Sequence, residues 1–272
     1  MNLLRLLPLS YLSWFVGLWA NLKLPQPLAR WSISIFARAY GIDPTQATRP
    51  LDSFRSIGEF FTRDLKPELR PIQSDCVMPV DGTLRSRDQL TPHCDIPQVK
   101  GKSYTLRTLL GDEASVERLS SGRLWNMYLS PKDAHHIFSP VRGSIVKTVH
   151  IPGALWPVND WALHSIEALF AVNERVVTYI ESNYGLVAVV MIGATNVGKI
   201  SLSYMPLVTN TRPWAHKKAQ HVVHSPAIPI ECGAKLGTFH MGSSVIVVME
   251  RTSPGPKSLG FPKGVRYGEP LV

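Results

Sequence analysis

The chain has 272 residues, 44% of them hydrophobic and only 18% charged, with a formal net charge of +9. That length supports a substantial core in one large domain or two small ones, and the positive balance favours anionic partners: nucleic acid, an acidic membrane surface or an acidic ligand. Its three cysteines, Cys76, Cys94 and Cys232, lack the spacing of a zinc site. Their odd number argues against a disulfide framework, which fits a reducing, cytoplasmic environment.

The first element is the apolar stretch MNLLRLLPLSYLSWFVGLWANLKLP, residues 1–25. Seventeen residues separate Arg5 from Lys23 without a charge, the lower limit for a membrane-spanning helix. Pro8 breaks its first turn, Trp14 and Trp19 favour a membrane interface over its centre, and no small-x-small cleavage site follows. A second helix is expected over 27–42, with Leu28, Trp31, Ile35 and Ala39 at helical spacing and Arg30 and Arg38 on its polar side. Two such helices in succession predict a monotopic membrane-docking surface over residues 1–45; the plainer reading is a hairpin packed on the protein's own core.

A short helix is expected from about Ser53 to Phe61, capped by Asp52 or Ser53, with Pro67 and Pro71 at the exit. From Val77 onward, short apolar runs alternate with turn residues: 124–129, 144–151, 175–180, 186–193, 199–205 and 244–250. They predict an α+β fold with a strand-rich body over 46–272. Further helices are expected at Asp112–Leu119 and over 161–170. Residues 206–235 are polar and loop-like, and the tail after Ser253 is rich in turn residues.

Several motifs lead nowhere. GATNVGKI (193–200) imitates a phosphate-binding loop, but Ile200 stands where a hydroxyl should hold magnesium, and SLSYM continues as a strand. It reads as a strand–turn–strand connection. His216, His221 and His224 have neither helical i, i+4 spacing nor a supporting carboxylate cluster, so no metal site is expected. Lys and Arg are scattered and no nucleic-acid module is recognisable.

Three segments carry the residue types of chemistry. VMPVDG (77–82) places Asp81 at a strand end before a glycine. SPKDAHHIFSP (130–140) holds His135 and His136 between two prolines. GTFHMGSSVIVV (237–248) looks like one buried strand interrupted by Gly242–Ser243, which reads either as a bulge or as a bond meant to break. An Asp, a His and a Ser in separate segments suit a triad in which the acid orients the imidazole and the imidazole activates the hydroxyl.

Taken in order, FRSIGEFFTRDLKPELRPI, VMPVDG, MYLSPKDAHHIFSP, IPGALWPVN, LFAVNERVV, MIGATNVGKI and FHMGSSVIVV resemble the phosphatidylserine decarboxylase family over nearly the whole chain. The resemblance implies self-cleavage between Gly242 and Ser243 into two associated chains, 1–242 and 243–272. Ser243 would become a pyruvoyl group, the cofactor that forms a Schiff base with the phosphatidylserine amine and takes up electrons as carbon dioxide leaves, giving phosphatidylethanolamine. It further implies catalytic roles for Asp81, His135 and Ser243, a homodimer, and an anionic phospholipid membrane as partner; the lack of a clean signal peptide, not the resemblance, points to the cytoplasmic face of that membrane.

One departure matters. Family members commonly carry D-Y-H-x-x-H in the central loop, with the second histidine serving self-cleavage. Here Phe138 occupies that place, and phenylalanine cannot take a proton. Three accounts stay open: His135 or His136 supplies the base from a shifted position; His240 supplies it; or the chain stays uncut as a non-catalytic lipid-binding relative.

Overall fold

The structure is a computed structural model that describes residues 9–91, 95–98, 102–195, 198–211, 218–240, 243–252 and 260–271, with Ser243 described by its backbone only. Its centre is an eight-stranded antiparallel sheet in the order β10-β6-β7-β8-β12-β4-β1-β13. The strands are β1 (Gly82–Gln89), β4 (Arg123–Leu129), β6 (Gly143–Ile151), β7 (Arg175–Ser182), β8 (Gly185–Ile192), β10 (Gln220–Ile230), β12 (Ser243–Met249) and β13 (Lys263–Val265). A second, three-stranded sheet has the order β5-β11-β9, formed by His136–Phe138, Lys235–Phe239 and Ile200–Leu202. The short pair β2 (Asp95–Pro97) and β3 (Ser103–Thr105) completes the strands.

Both faces of the large sheet are covered, which is why its central strands read as unbroken apolar runs. Val245, Val247 and Met249 of β12 pack with Phe239 and Ile200 of the small sheet. Ile246 and Val248 point the other way, against Leu106, Leu109 and Leu110 of α4 (Leu106–Leu110) and Val116 and Leu119 of α5 (Glu113–Leu119). Alternation along one strand therefore feeds two cores.

Helix starts follow local capping chemistry. Asp112 accepts from the Ser115 amide at 3.1 Å, opening α5 where the sequence places it. Ser56, rather than Asp52 or Ser53, caps α3 (Ile57–Phe61) by accepting from the Glu59 amide; residues 51–53 form a separate 3-10 turn. The expected helix over 161–170 divides into α6 (Asp160–Ser165) and α7 (Leu169–Val172), because Ala168 adopts a left-handed φ of 51°. Part of the expected loop at 206–235 is β10. This edge strand is largely exposed and carries Pro226 and Pro229, so its composition imitates a loop. His221 and His224 lie on it, whereas His216 lies outside the described residues. The 199–205 run keeps only three strand residues, as β9.

At the N-terminus, α1 (Leu9–Ala20) is followed by α2 (Gln26–Tyr40). Small residues do the packing: Ala29, Ile33 and Ala37 are buried against Phe54, Ile57 and Phe60. The large apolar residues face outward, with Phe15 61%, Trp19 65%, Leu28 54% and Trp31 65% exposed. The hairpin thus rests on the protein's own core and still presents an aromatic surface. Among the described residues, no helix is long and apolar enough to cross a membrane.

Candidate active site

GTFHMGSSVIVV is two strands, not one. β11 ends at Phe239 in the small sheet, and β12 begins at Ser243 in the large one. Between them the chain passes from sheet to sheet. Met241 and Gly242 lie outside the described residues, as does the Ser243 side chain. The Ser243 backbone pairs with Leu129, and the next position, Ser244, pairs with Tyr128.

The histidine loop is brought to this crossing by β5, which pairs with β11 so that His136 faces Thr238. The His135 carbonyl accepts from the Phe239 amide at 2.9 Å. His135 is fully buried, its ring 4.0 Å from that of Phe61. Its Nδ1–H donates to the Asp133 carbonyl at 2.8 Å, since a carbonyl can only accept. That bond assigns the proton to Nδ1 and leaves a lone pair on Nε2, which has no hydrogen-bond partner among the described residues. Burial pushes the pKa down to about 3, so the ring is neutral.

His136 is hydrogen-bonded through Nδ1 to Thr238 Oγ1 at 3.0 Å, and its Nε2 lies 3.1 Å from Asp64 Oδ1. The alignment at Nε2 is too poor for a hydrogen bond, leaving mainly an electrostatic contact. Burial, helped by the charge of Lys235, lowers its pKa to about 4. His240 sits just past β11 rather than within a strand; its Nε2 is 2.9 Å from Ser201 Oγ. Burial and nearby Lys199 push its pKa to about 4. Three neutral imidazoles therefore gather beside the crossing that leads to Ser243.

Asp81 is placed differently. It precedes β1 and so stands at a strand's entrance, not its end. Thr83 pairs with Tyr128, whose other neighbour is Ser244, which puts β1 two strands from β12. At the usual strand spacing that separation is about 10 Å. The Asp81 carboxylate accepts from Arg70 Nε at 2.9 Å, from Arg70 Nη2 at 2.6 Å and from the Tyr267 amide at 2.9 Å. Among the described residues it is hydrogen-bonded to no histidine. Phe138, in the place expected for the second histidine, stacks on Tyr267. Among the described side chains, then, the partner of Asp81 is a cation, Arg70, rather than an imidazole.

Arg70, Asp64 and Thr238 were not legible as site residues. Nothing in their spacing announces contacts across 11, 72 and 102 positions, and only the hydrogen bonds reveal them. GATNVGKI, by contrast, joins β8 to β9 as expected, apart from Asn196 and Val197, which lie outside the described residues. Among the described residues, no cluster of three metal-ligating side chains occurs.

The family model for phosphatidylserine decarboxylase matches residues 57–272. The chain is 39% identical to the phosphatidylserine decarboxylase proenzyme of Anaeromyxobacter sp. (strain K), over 98% of this chain and 95% of that protein. It is 38% identical to the proenzyme of the same name from Myxococcus xanthus, over 92% and 89%, and 35% identical to that of Brevibacillus brevis, over 90% and 86%. The chain belongs to the phosphatidylserine decarboxylase family.

Proposed function

We propose that the protein converts phosphatidylserine to phosphatidylethanolamine after cutting itself between Gly242 and Ser243. Family membership supports the reaction, and the observation that carries the self-processing is the unpartnered Nε2 of His135 beside the Ser243 crossing.

In the cleavage, Ser243 Oγ gives up its proton and attacks the Gly242 carbonyl carbon. The Ser243 nitrogen then leaves as an amine, converting the peptide to an ester. A base removes the Ser243 α-proton while the Gly242 carboxylate departs from Cβ. The resulting dehydroalanine tautomerises, and water releases ammonia to leave a pyruvoyl carbonyl on the chain 243–272. Glycine before the serine leaves room for the attack. When formed, the pyruvoyl carbonyl supplies an electron sink for loss of carbon dioxide from the substrate. His135 fits such a group, because a neutral imidazole with a free Nε2 can take a proton and return it.

His135 is favoured as the base over the other two candidates. His136 is hydrogen-bonded to Thr238 and turns its Nε2 toward the Asp64 carboxylate, and His240 Nε2 is engaged by Ser201. Loss of an optimal base costs about a hundredfold to ten-thousandfold in rate, yet processing needs only one turnover per molecule. The outward aromatic face of α1 and α2 and the net charge of +9 support peripheral docking on an anionic membrane; docking at its cytoplasmic face rests on the sequence alone. Assembly as a homodimer rests on the resemblance alone.

Intact mass spectrometry of the purified protein tests this reading. A species beginning at residue 243 with a pyruvoyl mass is expected, and its formation should slow at least tenfold in His135→Asn but not in His240→Asn. A chain that stays at 30.2 kDa during long incubation with lipid would overturn self-cleavage and leave the lipid-binding alternative, which the comparisons do not favour.

A further inference from the structure

A cavity of about 250 Å³ lies between α1 and the 198–211 segment, beside His240. Its α1 wall includes Ser10 and Ser13, with Asn21 just past the helix end, so this side turns polar groups inward while Phe15 and Trp19 face out. The opposite wall carries Lys199 and Asn210. Among the described residues lining it, Lys199 is the one side chain with a full charge, and no carboxylate is present. A larger cavity beside Asp81 contrasts with it: there Arg63, Arg70, Lys132 and Arg266 are matched by Asp43, Asp81, Asp133 and Glu269.

Asn210 is held from behind. Its Nδ2 donates to Glu174 Oε2 at 2.7 Å, and the other oxygen of this fully buried carboxylate lies 2.9 Å from His150 Nε2. The cavity also closes on the crossing: the His240 amide donates to the Lys199 carbonyl at 3.0 Å, three residues before Ser243.

We propose that this cavity takes the phosphodiester of the lipid substrate and that Lys199 is the residue that grips the phosphate. The assignment rests on the decarboxylase reading above. An anion is selected because Lys199 is the one fully charged side chain lining the cavity, whereas the nearest carboxylate described above, Glu174, stands behind Asn210 and is engaged by His150. A lipid rather than free phosphate is selected because the cavity's outer wall is the helix whose other face is aromatic and exposed. The headgroup would enter beneath α1 while the acyl chains lie along Leu18, Phe15 and Trp19, bringing the serine amine and carboxylate toward residue 243.

The test measures binding on the full-length chain carrying Ser243→Ala, which cannot be cut, so the result does not depend on cleavage or turnover. Monomeric dihexanoyl phosphatidylserine, inorganic phosphate and dihexanoylglycerol are titrated calorimetrically. The phosphatidylserine should bind about tenfold more weakly to Lys199→Gln, and within about threefold of the parent to Lys199→Arg, as loss of a charge-assisted hydrogen bond predicts. Lys199 is exposed, so folding should be unaffected, and thermal melting checks this. Equal affinity in Lys199→Gln would overturn the assignment. So would inorganic phosphate matching the lipid, which would mark a free-phosphate site, or dihexanoylglycerol matching it, which would mark a site blind to phosphate. Failure of the decarboxylase reading shows separately, as an uncut unsubstituted chain.

Discussion

Phe138 lies almost flat against Tyr267, with ring centroids 4.0 Å apart and planes 17° from parallel. The same Tyr267 donates its backbone amide to Asp81, so Phe138 stands one residue's width from the acid a histidine would have used. Phe138→His should therefore restore an imidazole within reach of Asp81 and speed self-cleavage at least tenfold. The measure is the fraction of chain beginning at residue 243, followed by mass spectrometry from the moment of synthesis. An unchanged rate would mean that Arg70 keeps Asp81 out of use even when an imidazole is supplied.

Arg70 and Asp81 form a bidentate pair with side chains only 9% and 7% exposed. Removing one member strands the other charge in a site that water barely reaches. Arg70→Ala should cost about 3 kcal/mol of stability, read from the urea midpoint with unchanged slope. A loss below about 1 kcal/mol would show that Asp81 finds another partner or is rehydrated.

Acid should act on this protein through its buried imidazoles. His135, His136 and His240 have folded pKa values near 3, 4 and 4, below the ordinary 6.5. As pH falls through 6.5 the unfolded chain takes up these protons and the folded chain does not. Their contribution to stability is thus complete above about pH 6.5 and declines as pH drops toward 4. The urea midpoint should fall steadily between pH 7 and pH 4.5. Self-cleavage, if it uses one of these rings, should show no inflection at 6.5, because the base stays unprotonated well below that pH.

Phe15, Trp19 and Trp31 are each more than 60% exposed, so changing them leaves the core intact. The triple replacement by serine should weaken association with phosphatidylserine-containing vesicles at least tenfold without lowering the melting temperature. Co-sedimentation equal to the parent's would remove α1 and α2 from the membrane contact.

Gly82 admits no side chain. A Cβ there would sit 2.3 Å from the Tyr128 carbonyl oxygen, a backbone atom in the neighbouring strand. Gly82→Ala should destabilise by about 3 kcal/mol, measured by denaturation, because relief requires β1 and β4 to part beside Asp81.

The residue order alone determined a good deal. Continuous apolar runs predict β4, β6, β7, β8 and β12 nearly to their ends, because strands covered on both faces need apolar residues at every position. Asp112, a capping residue before a helical run, marks the start of α5. Seven motifs in order place the chain in its family. Where the signal was local, the sequence carried it. β10 reads as a loop because an edge strand keeps its ladder on one side only, and all but Ile228 and Ile230, near its end, lie away from the core, so its Pro and His content dominates. Only the tertiary structure decided that GTFHMGSS crosses between two sheets, that Ala and Ile rather than Trp anchor α2, and that Asp81 belongs to Arg70. Each of these depends on contacts between residues distant along the chain, whose energies come from burial and hydrogen bonding that no local pattern encodes.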